Sequence, residues 1–223
     1  VLVHPNNPTG TFVRRADADA VAEIAASRGL ALVVDEVFGD YAHGPPDPAA
    51  RPTFAGEARA LTFVLSGLSK VVAMPQVKLG WIAASGPEDD LAEALARLEV
   101  VADTYLSVST PVQLALEAIL AAREPVQASI LARVRGNLDA LDRALAGGPA
   151  RRLPVEAGWY AIVEAPRTRD DDGWVAALLA AGVLVQPGWF FDMPDGASLV
   201  VSLLPREEPF ARAAGILARV LGS

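Results

Sequence analysis

A continuous apolar run, Leu30 to Val34, ends abruptly in Asp35-Glu36, and it constrains the fold more than any other stretch. A strand with one wet face alternates apolar and polar residues, whereas a run apolar on both faces suits a parallel strand covered on both sides. A helical pattern precedes it. Asp17 or Asp19 can cap a helix running to about Arg28, with Val21, Ile24 and Ala25 facing inward, and Gly29 falls where a left-handed C-terminal residue belongs. Similar runs recur at Leu61 to Leu65 and Leu79 to Ala84. Strand, helix, strand, loop, strand is an α/β pattern with a mostly parallel sheet. Carboxylates at the C-terminal end of a buried strand stand where open α/β sheets bind ligands.

The flanking chain fits that core. Val1 to Val3 reads as a strand and His4 to Gly10 as a loop of prolines, asparagines and glycine. Opening inside a core-strand pattern suggests the C-terminal portion of a longer polypeptide. Residues 42–57 form a proline-rich loop, and helices are expected over about 87–103, 111–122 and 125–146. From Arg151 a smaller α+β unit is expected. Its strands are 153–156, 159–164, 183–186 and 199–204, and its helices run from the Asp170-Asp171-Asp172 cluster to Ala181 and from Glu207 to Leu221. The expected division is 1–108 for part of a large domain, 109–147 for a helical connection and 148–223 for a small domain.

Composition narrows the function classes. A net charge of −8 without a basic stripe argues against nucleic acid or an anionic membrane as partner. The longest apolar run, Val175 to Val185, is broken by Gly182 and falls short of the ~18 residues a membrane helix needs. The absence of cysteine excludes disulfides and thiolate metal sites, and two distant histidines, His4 and His43, make a histidine metal site improbable.

One residue type is scarce. Of 19 basic residues only two are lysines, Lys70 and Lys78, and both follow the strand at 61–65 in a small-residue segment, Ser66-Gly67-Leu68-Ser69-Lys70. Arginine holds its proton and cannot form an imine; a lysine amine can lose its proton and attack a carbonyl.

Four fragments in order, Asn7-Pro8-Thr9-Gly10, Asp35-Glu36-Val37-Phe38, Ser69-Lys70 and Lys78-Leu79-Gly80-Trp81, resemble the fold-type I pyridoxal 5'-phosphate (PLP)-dependent aminotransferases of class I/II. The likeness covers essentially the whole chain, which looks like the second half or more of such an enzyme. It implies the PLP-transferase fold, α/β with a small α+β C-terminal domain, and a homodimer in the cytoplasm. It also implies amino-group transfer between a small-molecule amino donor and a 2-oxo acid acceptor, in a site between the two domains. Lys70 would hold PLP as an imine and then act as general acid–base at the substrate carbon. Asp35 would pair with the pyridinium nitrogen and keep it protonated. Asn7 would hydrogen-bond the ring's phenolic oxygen, and Ser69 and Lys78, with Ser66 a weaker candidate, would hold the phosphate. No metal is implied.

The chain departs from that family pattern at several positions. Phe38 stands in the cofactor site where a tyrosine is usual, which removes a hydroxyl from beside the phenolic oxygen. Lys78 replaces an arginine, so charge remains but a bidentate fork is lost. The late-strand arginine that clamps a substrate carboxylate has no counterpart: the aligned position is Val200, with Arg206 nearby in sequence. An N-terminal half would normally supply a phosphate-binding helix start and an aromatic over the ring, so the isolated chain is expected to bind PLP poorly. Two other readings stay open, a PLP-dependent carbon–sulfur lyase and a noncatalytic PLP-binding regulatory module. Outside these fragments the expectations are plain: His4 packs a loop, Asp170 to Asp172 start a helix facing water, and Trp159, Tyr160, Trp189 and Phe190 form core or cleft wall.

Overall fold

A computed structural model describes residues 1–105, 107–194 and 196–223. Contacts divide the chain into two compact units, Val1–Asn6 with Thr11–Gln127, and Asn7–Gly10 with Ala128–Ser223.

The first unit is built on a four-stranded sheet of β1 (Leu2–Val3), β2 (Leu32–Asp35), β3 (Thr62–Gly67) and β4 (Gly80–Ser85), in that spatial order. The first three strands run parallel and β4 runs antiparallel to β3. In register, Leu2, Val34, Val64 and Ala83 share one face, and Val3, Asp35, Leu65 and Ile82 the other. Helix α1 (Arg15–Ser27) covers the Val34 face through Ala18, Ala22 and Ala25, which pack with Leu32, Val34, Phe54, Ala60 and Val64. The inward stripe is alanine, not the bulkier residues expected; Ile24 is 51% exposed and Val21 packs only at the margin.

Helix α1 also starts earlier than Asp17. Arg14 bridges to Ala50 and pairs with Asp47 at 2.8 Å, while the Arg15 amide donates to the Ala49 carbonyl, so the 47–51 turn anchors the helix start. Its end is as expected. Gly29, at φ +60, lets its own amide reach the Ala26 carbonyl and the Leu30 amide reach that of Ala25. That closure removes Leu30 from the ladder, so β2 begins at Leu32.

After β3 come the short helix α2 (Leu68–Val71), a 3-10 turn at Pro75–Val77, and helices α3 (Glu88–Tyr105), α4 (Thr110–Ala121) and α5 (Arg123–Leu145). Leu68, Val71, Val72 and Leu79 form a second small core against Val112, Leu116 and Ile119 of α4. The expected helical connection, 109–147, contains α4 and α5, and the boundary between the two units falls inside α5 at Gln127.

The second unit holds an antiparallel sheet of β5 (Arg151–Arg152), β6 (Tyr160–Glu164), β7 (Gln186–Pro187) and β8 (Ser198–Ser202) in the order β5-β6-β8-β7. Helices α6 (Asp171–Ala180) and α7 (Glu207–Leu221) complete it, and Leu141, Trp174, Leu178, Leu199, Leu203, Leu217 and Leu221 fill its core. Two expected strands move. The Leu153 amide still donates to the Ile162 carbonyl of β6, but beyond it the chain departs and the Glu156 amide donates to the Gly10 carbonyl, while Val183 is held by the Leu178 carbonyl in closing α6. Gly10 is required where it stands: at φ +68, a Cβ there would lie 2.3 Å from the Ala157 carbonyl oxygen.

The aspartate cluster does more than start a helix. Asp170 caps α6 by accepting the Gly173 amide at 2.8 Å. Asp171 accepts the amides of Ser198 and Trp189, and Asp172 accepts the Trp189 indole N–H, so both tie the 3-10 turn Gly188–Phe191 down. That turn presents Trp189 and Phe190 as an exposed edge-to-face pair, not as core.

Candidate active site

Because β2 and β3 are adjacent and parallel, both deliver their C-terminal residues to one end of the sheet. Asp35 closes β2 in register with Leu65 of β3. Two residues on, Gly67 ends β3 where a Cβ would lie 3.0 Å from both Gly80 Cα and the Leu79 carbonyl oxygen, so a side chain there would press β4. The chain then turns into α2, in which Lys70 is the third residue.

Asp35 is half-buried, and its Oδ1 accepts the Val37 amide at 3.0 Å. Among the described residues its Oδ2 accepts no hydrogen bond. Glu36, next in sequence, is spent on structure: its two oxygens accept the Thr53 hydroxyl and the Phe54 amide, each at 2.6 Å. Lys70 is half-buried, and its Nζ stands 5.5 Å from the centroid of the buried Phe38 ring. That contact joins the loop after β2 to the helix after β3.

Ser69 is the second residue of α2 and half-buried. Lys78 is exposed and left-handed, at φ 58 and ψ 49, a conformation unfavourable by about 1–2 kcal/mol for a residue with a Cβ. Ser66 pairs with Trp81 on the face of Val64 and Ala83, opposite that of Asp35. It lines an open cleft of about 1150 Å³ with Glu36, Asp40 and Thr53. Asn7 is exposed and belongs to the second compact unit. Val200, at 2% exposure, is buried in β8 opposite Ile162 and Gln186, and Arg206 is exposed at the start of α7.

Two side chains against α2 carry no sequence signal that singles them out. The Tyr41 hydroxyl donates to the Lys70 carbonyl at 2.6 Å, and the Gln127 amide donates to the Val71 carbonyl at 2.9 Å. Burial, and then the charge of Asp40, push the Tyr41 phenol up to about 12, so it remains a donor at neutral pH.

The family model described as aminotransferase class I and II matches residues 1–208. The alanine aminotransferase of Mycobacterium tuberculosis strain H37Rv is 25% identical over 96% of this chain and 51% of its own length. The S-alkyl-thiohydroximate lyase SUR1 of Arabidopsis thaliana is 33% identical over 54% of this chain and 26% of its own. Among solved structures, alanine aminotransferase from Pyrococcus furiosus superposes with a TM-score of 0.85 at 21% identity, over 99% of this chain and 56% of that one. An aspartate aminotransferase from Thermus thermophilus gives 0.80 at 26% identity, over 98% and 56%. The chain spans about half the length of the curated relatives that it matches along its whole length. With a mostly parallel α/β sheet and a family match over residues 1–208, the chain belongs to the class I and II aminotransferases.

Proposed function

We propose that this protein is a PLP-dependent aminotransferase and that the chain carries its reactive lysine, Lys70. The observation that carries the reading is the delivery of Asp35 and Lys70 to one end of adjacent parallel strands, with Phe38 linking their two segments.

The residues present fit PLP. An anionic oxygen without a hydrogen bond among the described residues suits a protonated ring nitrogen, a primary amine suits an aldehyde, and a hydroxyl with an ammonium suits a phosphate. When bound, PLP supplies a sink for the electrons of the bond broken at the substrate's α-carbon. Asp35 would hold the proton on the ring nitrogen. Ser69 and Lys78 would anchor the phosphate, and Asn7 the phenolic oxygen. Ser66 enters this set only as a donor from the opposite sheet face. Lys70 would bind the cofactor through its amine and, once released, move a proton at the substrate's α-carbon.

An amino acid and a 2-oxo acid are the substrates of this reading, with a homodimer in the cytoplasm. Exposed Val100 and Tyr105 on α3 and Leu114 on α4 support a protein surface docking there, and sedimentation tests the dimer. No helix among the described residues is long and apolar enough to cross a membrane. The partial likeness to a lyase favours one alternative, elimination with loss of ammonia. Incubating the PLP-loaded protein with an amino acid and a 2-oxo acid separates the two. Stoichiometric exchange of the amino group is expected, and free ammonia without a new amino acid would favour the lyase.

A further inference from the structure

Helix α2 is four residues long, and in any helix the last four carbonyls lack intrahelical partners. Its hold on Lys70 must therefore come largely from outside. The backbone supplies part: the amides of Val72 and Met74 donate to the Leu68 carbonyl, and that of Ala73 to the Lys70 carbonyl at 3.3 Å. Beyond that, the Lys70 carbonyl accepts the Tyr41 hydroxyl, and the Val71 carbonyl accepts the Gln127 amide.

We propose that Tyr41 and Gln127 are positioning residues for Lys70, capping the carbonyl end of its short helix and so fixing where its amine stands.

The geometry makes this a two-sided clamp. Phe38 and Tyr41 close one turn, with the Tyr41 amide donating to the Phe38 carbonyl at 2.9 Å. From that turn Phe38 meets the Lys70 amine and Tyr41 its carbonyl, so both ends of the lysine rest on one rigid piece. The Tyr41 side chain is fully buried. Water therefore has little opportunity to replace its hydroxyl at the Lys70 carbonyl. From the other side, the Gln127 NH₂ divides its two protons between the Val71 carbonyl and Asp40 Oδ2, each at 2.9 Å, and this fixes the amide's orientation. Asp40 directly precedes Tyr41, so both caps are tied to the same loop. Each acts through the backbone of α2.

The inference rests on Lys70 being the reactive amine, and its test is read without cofactor. Trace acetylation with acetic anhydride, followed by peptide mass spectrometry, reports the reactivity of Lys70 against Lys78, the exposed internal reference and the only other lysine. In Tyr41→Phe the ring is kept and the cap is lost. The Lys70-to-Lys78 ratio is expected to rise several-fold, with faster hydrogen exchange at the amides of residues 72–74. Gln127→Met is expected to move both readings the same way. Ala22→Leu, which strains the same unit through α1, is the control: it lowers the melting temperature and leaves the ratio unchanged. An unchanged ratio in both cap variants overturns the proposal, as does a ratio that rises equally in the control. Trapping of PLP on a residue other than Lys70, with the ratio still responding to the caps, overturns only the role assigned to Lys70.

Discussion

Asp35 and Glu36 are adjacent carboxylates with different duties. Glu36 has both oxygens committed to the 53–54 loop, whereas Asp35 gives one to Val37. Strand position marked both carboxylates and the family resemblance singled out Asp35; nothing local could show that its neighbour is consumed by a loop 17 residues away. Glu57 is a further case. Its hydrogen bond to the Arg59 side chain, aided by the Arg59 amide and the charges of Arg59 and Arg51 and opposed by burial, holds its carboxyl at about 2. A carboxylate depressed in the folded state adds stability above its unfolded value of 4.5, lost as pH falls from there toward 2. Glu57→Gln is therefore expected to cost roughly 2–3 kcal/mol at neutral pH. Urea unfolding checks this, with the midpoints of the two proteins converging as the pH approaches 2. Phe38 bears on the cofactor. Because it offers no hydroxyl, the visible band of the PLP-loaded protein is expected to titrate at a lower pH in Phe38→Tyr, and an unmoved band would contradict its assigned place. His4 follows its sequence reading as a packing residue. Its Nε2 donates to the Arg51 carbonyl and its Nδ1 accepts the Val13 amide, and burial lowers its pKa.

At the scale of elements, α1 shows where periodicity misleads. Val21, Ile24 and Ala25 fit an inward face by hydrophobicity, but the helix rotates to set Ala18, Ala22 and Ala25 on the sheet. Alanines let the backbones approach, and the bulkier residues fall at the rim. Ala22→Leu is expected to destabilise by about 1–3 kcal/mol through overpacking, and Ile24→Ser to stay within about 0.5 kcal/mol. Chemical denaturation of the pair decides which stripe faces the core. The aspartates at 170–172 were legible as a helix start because a cap is local. Their grip on Ser198 and Trp189 was not, since those partners lie 17 to 27 residues away. Most strands were legible and their limits were not, because glycine closures such as those at Gly29 and Gly182 set the limits, and β5 falls at Arg151–Arg152, outside the strand expected at 153–156.

For the molecule as a whole, the sheet of the first unit and the antiparallel sheet of the second follow from hydrophobic runs and turn residues. Neighbouring parallel strands bring their C-terminal ends together, which marked the end of β2 as a ligand position, whereas the pairing of Asp35 with Lys70 came from the resemblance of the four fragments to the aminotransferase family. The side chains that steady α2 were not legible: Tyr41 lies 29 residues from Lys70 and Gln127 lies 56 from Val71, with no pattern joining them. The central claim is about one amine. Saturating the parent protein with PLP, reducing it with borohydride and mapping the modified peptide tests that claim most directly. Incorporation at Lys70 is the predicted result; incorporation at Lys78, or none at saturation, would contradict it.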